Sequence, residues 1–91
     1  MAVKIKIPIS FRRFAGGKKV LSCKPGKISV ILEEVFKKYP EIKKKIFNDN
    51  KVLISYIVLF LDDQNINHLR KLDTVAKDGQ TIKIIPMVGG G

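Results

Sequence analysis

Few side chains in this chain of 91 residues are of types that make or break bonds. His68 stands alone in "NINHLRKL" and reads as a surface or loop-packing histidine, not a general base. Cys23 closes a strand-like segment, where a small half-buried apolar residue is the ordinary reading and a reactive thiol the exceptional one. One Cys and one His far apart in sequence assemble no metal-ligand set, and a single thiol closes no internal disulfide. Asp62 and Asp63 are adjacent, so on a strand they would point to opposite faces; they are expected to shape a turn, not to form an acid–base pair. Gly16-Gly17 lacks the Walker spacing and a following helix, so it is no phosphate loop. What remains is the last stretch, "KIIPMVGGG", in which an apolar run ends in Gly89, Gly90 and Gly91. A glycine end is by default a frayed end. Placed directly after a core strand, however, it is a probe without side chains on a rigid body. At ~3.3–3.6 Å per residue, three glycines reach roughly 10 Å, through a channel that any Cβ would block. The expected chemistry is presentation of the terminal carboxylate to another enzyme's site. The domain itself is expected not to be an enzyme.

The elements that must position such a tail are legible in the hydrophobic pattern. "VKIKIPIS" places Val3, Ile5, Ile7 and Ile9 on one side and Lys4, Lys6 and Pro8 on the other, the period of a strand with one buried face. "FRRFAGGKK" turns through Gly16-Gly17 into a second strand at about Lys19 to Cys23, and "KPGK" breaks the chain. "ISVILEEVFKKY" carries Ile28, Ile31, Leu32, Val35, Phe36 and Tyr39 on one helical stripe. Ser29 is placed to cap its first turn, and Glu33 and Glu34 precede Lys37 and Lys38 by four residues in the favourable order. Pro40 limits the helix, because proline disfavours helical geometry at Tyr39. "EIKKKIFNDNKVLIS" is a lysine-rich connection with room for a short helical turn. "YIVLFLDD" is a strand apolar on both faces, "DDQN" a turn into a short strand near Ile66, and "LDTVAKDGQ" a loop before the last strand, "TIKIIPM". Strand, strand, helix, strand, short strand, strand is the order of an α+β, β-grasp (ubiquitin-like) fold. It implies a mixed sheet of four to five strands with one main helix packed across it, and first and last strands as parallel central neighbours. Residues 1–88 are expected to form the domain and residues 89–91 the flexible tail.

If Val3, Ile5, Ile7, Ile57, Leu59, Leu61, Ile82 and Ile84 face the helix, their alternates face away from it. Lys4, Lys6, Pro8, Val58, Phe60, Lys83, Ile85 and Met87 then form an apolar centre ringed by lysines, the composition of a protein-binding patch. That patch adjoins the glycine tail. The bulk composition narrows the setting. With 45% apolar and 29% charged residues the chain is a single small globular domain. "VLISYIVLFL" is about half the ~20 residues that cross a bilayer, and the N-terminus lacks the layout of a signal peptide. No membrane is expected, and one cysteine suits a cytoplasmic location. The net charge of +10 attracts acidic partners, but fifteen of the eighteen cations are Lys, not the Arg favoured for bidentate phosphate contacts. Nucleic acid is therefore the less favoured partner.

With these residues assembled, the chain resembles the ubiquitin-like sulfur-carrier family. That family includes the small subunit of molybdopterin synthase, the thiamine-pathway sulfur carrier and a related carrier serving cysteine synthesis. The resemblance runs through "FRRFAGGKK", "LEEVFKKYPEIKKKIF", "YIVLFLDD" and "HLRKLDTVAKDGQTIKIIP" to the glycine end. "IIPMVGGG" is the most specific piece, close to the family's Ile-Pro-x-Val-x-Gly-Gly ending, and "IPISFRRFAGG" leans toward the cysteine-pathway branch. The resemblance implies that an E1-like adenylyltransferase uses ATP and Mg²⁺ to convert the terminal carboxylate to an acyl-adenylate. Sulfide, or a persulfide on a sulfurtransferase or other sulfur donor, then displaces AMP to give a thiocarboxylate. An acceptor enzyme, such as a molybdopterin-synthase large subunit or a cysteine synthase, receives the sulfur. The chain itself binds no cofactor or metal in this scheme. By residue, Gly91 is the reactive end, Gly90 and Gly89 the tail, and Phe60, Ile85, Met87, Val58 and Pro86 the docking contacts.

Two departures bear on this. Three glycines stand where the family ends on two. Aligning Pro86-Met87-Val88-Gly89-Gly90-Gly91 on Pro-x-Val-x-Gly-Gly places Gly89 in the small-residue slot and leaves Gly90-Gly91 as an ordinary diglycine. The chain is also more basic than many such carriers. Two other classes remain open: a ubiquitin-like modifier conjugated to lysines through the same terminus, and a small basic nucleic-acid-binding module.

Overall fold

The computed structural model describes residues 2–50 and 52–87. Strands β1 (Val3–Lys6) and β2 (Val20–Cys23) form an antiparallel pair, and β3 (Gly26–Lys27) leads into helix α1 (Ile28–Lys38). A second helix, α2 (Pro40–Ile46), is followed by β4 (Ile57–Leu61), β5 (Gln64–Asn65), β6 (Val75–Ala76) and β7 (Thr81–Pro86). The main sheet has the order β2-β1-β7-β4-β5, with β1 and β7 parallel at its centre and every other pairing antiparallel. This is the β-grasp arrangement: a mixed five-stranded sheet with a helix packed across one face. The parallel pair needs a long crossover, and everything from β2 to the loop before β7 supplies it.

The period-two reading holds at the level of single side chains. Val3, Ile5, Ile57, Leu59, Leu61, Ile82 and Ile84 are buried against the helices, as are Ile28, Ile31, Leu32 and Val35 of α1. Phe36 and Tyr39 pack at the edge of this core instead of within it. Removing that apolar surface from water is the main term holding helix to sheet, at ~1.5–3 kcal/mol for each fully buried aliphatic side chain.

Several local expectations are corrected. Ile9 does not continue the buried stripe: β1 ends at Lys6, and Ile9 opens a 3₁₀ segment (Ile9–Ala15) with its side chain 79% exposed. Pro8 sits at the head of that segment in extended geometry, where the missing N–H costs nothing. Gly16 and Gly17 both have positive φ, 63° and 78°, and bring the chain back toward β2. Ser29 caps nothing, because α1 begins one residue earlier and its cap residue, Lys27, lies in β3. No ion pair joins Glu33 or Glu34 to Lys37 or Lys38 among the described residues, as expected for long exposed side chains in water. The loops before α1 and before β7 each contribute two residues to a small second sheet, β3 with β6, that the sequence reading missed. Pro40 does not close the helical region. It occupies the first turn of α2, whose Ile42 and Ile46 are fully buried. The short strand expected near Ile66 lies at Gln64–Asn65, with Ile66 itself buried in a 3₁₀ turn.

Candidate functional site

The face of the sheet turned away from the helices is the candidate site, and β7 is its axis. Pleating puts Ile82 and Ile84 into the core and Lys83 and Ile85 on the open face. Register then assigns their neighbours. Ile85 lies directly opposite Val58, and Lys83 lies between Phe60 on β4 and Lys6 on β1. Lys4 is next along β1, beside Thr81. Val58, Phe60 and Ile85 are half-buried, and Met87, just past the end of β7, is 58% exposed. Val58, Ile85 and Met87 adjoin each other at the end of the sheet from which the chain leaves, and Phe60 lies further in, level with Lys83. Lys4, Lys6 and Lys83 lie along the strands away from that exit. The structure thus brings four of the five proposed docking residues together.

Pro86 is the exception. It pairs with Ile57, which is buried on the helix face, so alternation puts Pro86 on the side opposite to Ile85 and Met87. Its missing N–H does not end the β4–β7 pairing, which continues past it to Met87. The reactive-end residues Gly89, Gly90 and Gly91, together with Val88, lie outside the described residues.

Two features of the site were missed from sequence. The Met87 amide donates to the Tyr56 carbonyl at 2.6 Å, so the exit of β7 is tied to the start of β4. The β4–β7 register, continued one step from Ile57–Pro86, leads to this contact, but register is not readable from one strand alone. Val20, at the edge of the sheet and 40% exposed, extends the Lys6–Lys83–Phe60 row by one apolar side chain.

Of the other chemical candidates, Asp62 has a clear structural role. The Asp62 carboxylate accepts from the Thr81 backbone N–H at 2.9 Å and from Gln80 Nε2 at 3.2 Å. It ties the β4–β5 turn to the start of β7. Asp63 points elsewhere and lies 3.8 Å from the Lys83 ammonium, a solvated pair of little energetic weight. His68 is exposed in a 3₁₀ turn. Cys23 is half-buried, and burial pushes its thiol pKa up, reinforced by the Glu34 carboxylate and opposed by Lys38. A thiol held in its neutral form is a poor nucleophile. Among the described residues no group of three or more His, Cys, Asp or Glu is placed to hold a metal ion, and no helix is long and apolar enough to cross a membrane.

The open face thus combines an apolar centre, lysines at its side and a tethered strand exit. Comparison with known proteins gives the chain's relatives. The family model described as "ThiS family" matches residues 5–91. The sulfur carrier protein CysO of Mycobacterium tuberculosis (strain H37Rv) is 24% identical over 93 aligned residues, covering 100% of this chain and 100% of that protein. Among solved structures, the Amycolatopsis orientalis BexX/CysO complex contains a chain 29% identical with a TM-score of 0.89, covering 99% of this chain and 100% of that one. The small archaeal modifier protein 1 (SAMP1) of Methanosarcina acetivorans is 33% identical with a TM-score of 0.85, covering 98% and 95% respectively.

Proposed function

Because the chain belongs to the ThiS family, we propose that it is a non-catalytic sulfur carrier working through the carboxylate of Gly91. An E1-like adenylyltransferase docks on the open face at Val58, Phe60, Ile85 and Met87, with Lys4, Lys6 and Lys83 facing acidic groups of that enzyme. The Gly91 carboxylate attacks the α-phosphorus of ATP, Mg²⁺-bound pyrophosphate leaves, and an acyl-adenylate forms. Sulfide then attacks the acyl carbon and AMP leaves, which produces the thiocarboxylate. With a persulfide donor the same attack gives an acyl disulfide, whose S–S bond a thiol of the donor enzyme reduces, releasing the thiocarboxylate and forming a disulfide. The carrier delivers that sulfur to an acceptor enzyme in the cytoplasm. Cysteine synthesis is the favoured pathway, on the strength of the CysO relatives, ahead of molybdopterin or thiamine synthesis.

The observation that supports this reading most is the course of β7. One strand contributes Ile85 to the apolar patch, is tied through Met87 to Tyr56, and continues in sequence into Gly89-Gly90-Gly91. A partner that recognises the patch thereby receives the tail at a fixed origin, the orientation that acyl activation requires. Incubation with the activating enzyme, ATP and a sulfur donor should raise the intact mass by the difference between sulfur and oxygen. Deleting Gly90-Gly91 should abolish that change while leaving the circular dichroism spectrum unaltered. An unmodified mass with every activating enzyme of the source organism would sink the proposal.

The likeness to SAMP1, whose name is that of a modifier protein, favours one further reading. The same activated terminus could be transferred to the amino group of a lysine instead of to sulfur. Immunoblots of source-cell lysates showing ladders that carry this chain, and that vanish with the Gly90-Gly91 deletion, would support it.

A further inference from the structure

We propose that the free edge of β2, with the groove between it and α1, binds a partner protein by strand addition, taking an extended segment that combines apolar, β-branched residues with acidic ones. Three observations carry this. The first is an open ladder. Among the described residues β2 pairs only with β1, and the Ile7 N–H to Lys19 carbonyl bond of 2.8 Å fixes which residues bond inward. Antiparallel alternation then directs Leu21 and Cys23 toward β1 and turns the N–H and C=O of Val20 and Ser22 outward.

The second observation is the groove beside that ladder. It encloses about 700 Å³, with Leu21 and Cys23 on the strand side and Val30, Ile31 and Val35 on the helix side. Val30 leaves 51% of its surface exposed on a helix whose other aliphatic residues are buried. An added strand that bonds to Val20 and Ser22 would place alternate side chains over Val30, which is the recognition logic of strand addition.

The third is charge. Lys18, Lys24 and Lys38 line the groove against one acid, Glu34. This excess argues for an acidic occupant and against a second copy of the chain. Two copies paired edge to edge would bring lysine rims together on bodies of net charge +10. Lysines also blunt exposed edges against self-pairing, so the same residues that reject a second copy select an acidic strand. The edge lies across β1 from β7. A partner held there leaves the open face free for an activating enzyme.

The test uses the full chain and a blocked synthetic peptide, Ile-Val-Ile-Val-Asp-Glu-Asp, followed by amide chemical shifts. Saturable shifts centred on residues 20–23 and on the Val30 face of α1 are expected. Val30→Glu, at an exposed position that leaves the core intact, should weaken binding about tenfold or more, the effect of a buried charge without a partner. Ser22→Pro removes one outward N–H, a change tolerated on an edge strand, and should weaken binding comparably. Replacing the three acidic residues of the peptide with lysine should do the same. The proposal is overturned by an absence of shifts at millimolar peptide, by shifts confined to the open face, or by affinity indifferent to Val30→Glu. Dilution-dependent shifts in β2 without peptide would overturn it in favour of self-association. No activating enzyme enters the assay, so its outcome is independent of the carrier reading.

Discussion

At the scale of the residue, the polar side chains differ in how much of the fold they hold. Asp62 is the sharpest case. It sits at φ 53°, a left-handed conformation, and its carboxylate replaces a rung that the β4–β5 turn cannot give to Thr81. Its own N–H donates to the Thr81 carbonyl at 2.7 Å. Asp62→Ala should cost about 1–2 kcal/mol in urea denaturation, because an acceptor is lost and alanine resists left-handed geometry. Asp62→Asn keeps an acceptor and tolerates the backbone, so it should cost less than half as much. Equal stability of all three proteins would refute this role. Cys23 makes a second residue-scale prediction. Its folded pKa is raised by burial first and by Glu34 second, so the native state holds its proton more tightly than the unfolded chain. The linkage follows: no stability is lost at neutral pH, where the thiol is protonated in both states. Stability declines as pH rises above about 8.5, where the unfolded thiol ionises and the native one does not. Cys23→Ser should flatten that decline. At pH 8, iodoacetamide should alkylate the native thiol more slowly than the same thiol in denaturant.

At the scale of the element, the helices and strands differ in how much of them the sequence could disclose. α1 and the long strands were legible because period 3.6 or period 2 persists over enough residues to exclude the alternative. β3 and β6 were not, since two residues such as Gly26–Lys27 or Val75–Ala76 have no period. They form because two distant loops meet. The register that ties Met87 to Tyr56 was invisible for the same reason. The shared face of Val58, Phe60, Ile85 and Met87 was nonetheless readable, because alternation from a buried neighbour fixes which face a side chain takes. The same rule puts Pro86 on the other face. α2 was legible in part. Pro40 reads as a stop for α1, but proline is equally at home in a first helical turn, and Ile42 and Ile46 are one turn apart on a single stripe. Phe36 and Phe47 meet edge to face at a centroid distance of 5.7 Å across the same junction. α2 is therefore part of the core, not a connection. Ile42→Ala should destabilise the domain by about 2–4 kcal/mol, as large-to-small changes at fully buried sites do. Lys44→Ala, on the exposed side of the same helix, should stay within about 0.5 kcal/mol. If both substitutions proved equally mild in urea melts, α2 would be a loosely attached turn.

At the scale of the whole molecule, the issue is how a body of net charge +10 meets its partner. Lys4, Lys6 and Lys83 share the open face with the apolar patch, and Lys6 stands directly across from Lys83. Like charges in register oppose sheet formation. Asp63 offsets one of them only through a solvated contact. A local cost of this kind fits the proposal that an acidic surface covers the face. Charge and apolar contact should then divide the work: lysines accelerate encounter, while Ile85 and Phe60 slow departure. Stopped-flow binding to the activating enzyme can separate the two. The association rate should fall by about tenfold or more between about 50 and 500 mM salt, as exposed charges become screened. Lys4→Glu/Lys6→Glu should lower that rate and flatten its salt dependence, with little change in dissociation. The fold should not suffer, because a glutamate opposite Lys83 replaces repulsion with attraction. Ile85→Asp should do the reverse, raising the dissociation rate at every salt concentration while leaving the salt slope of association unchanged. If the double charge reversal left association and its salt slope untouched, the basic character of the chain would have no part in docking on this face. The lysines there would then be a solvated surface around a purely apolar contact.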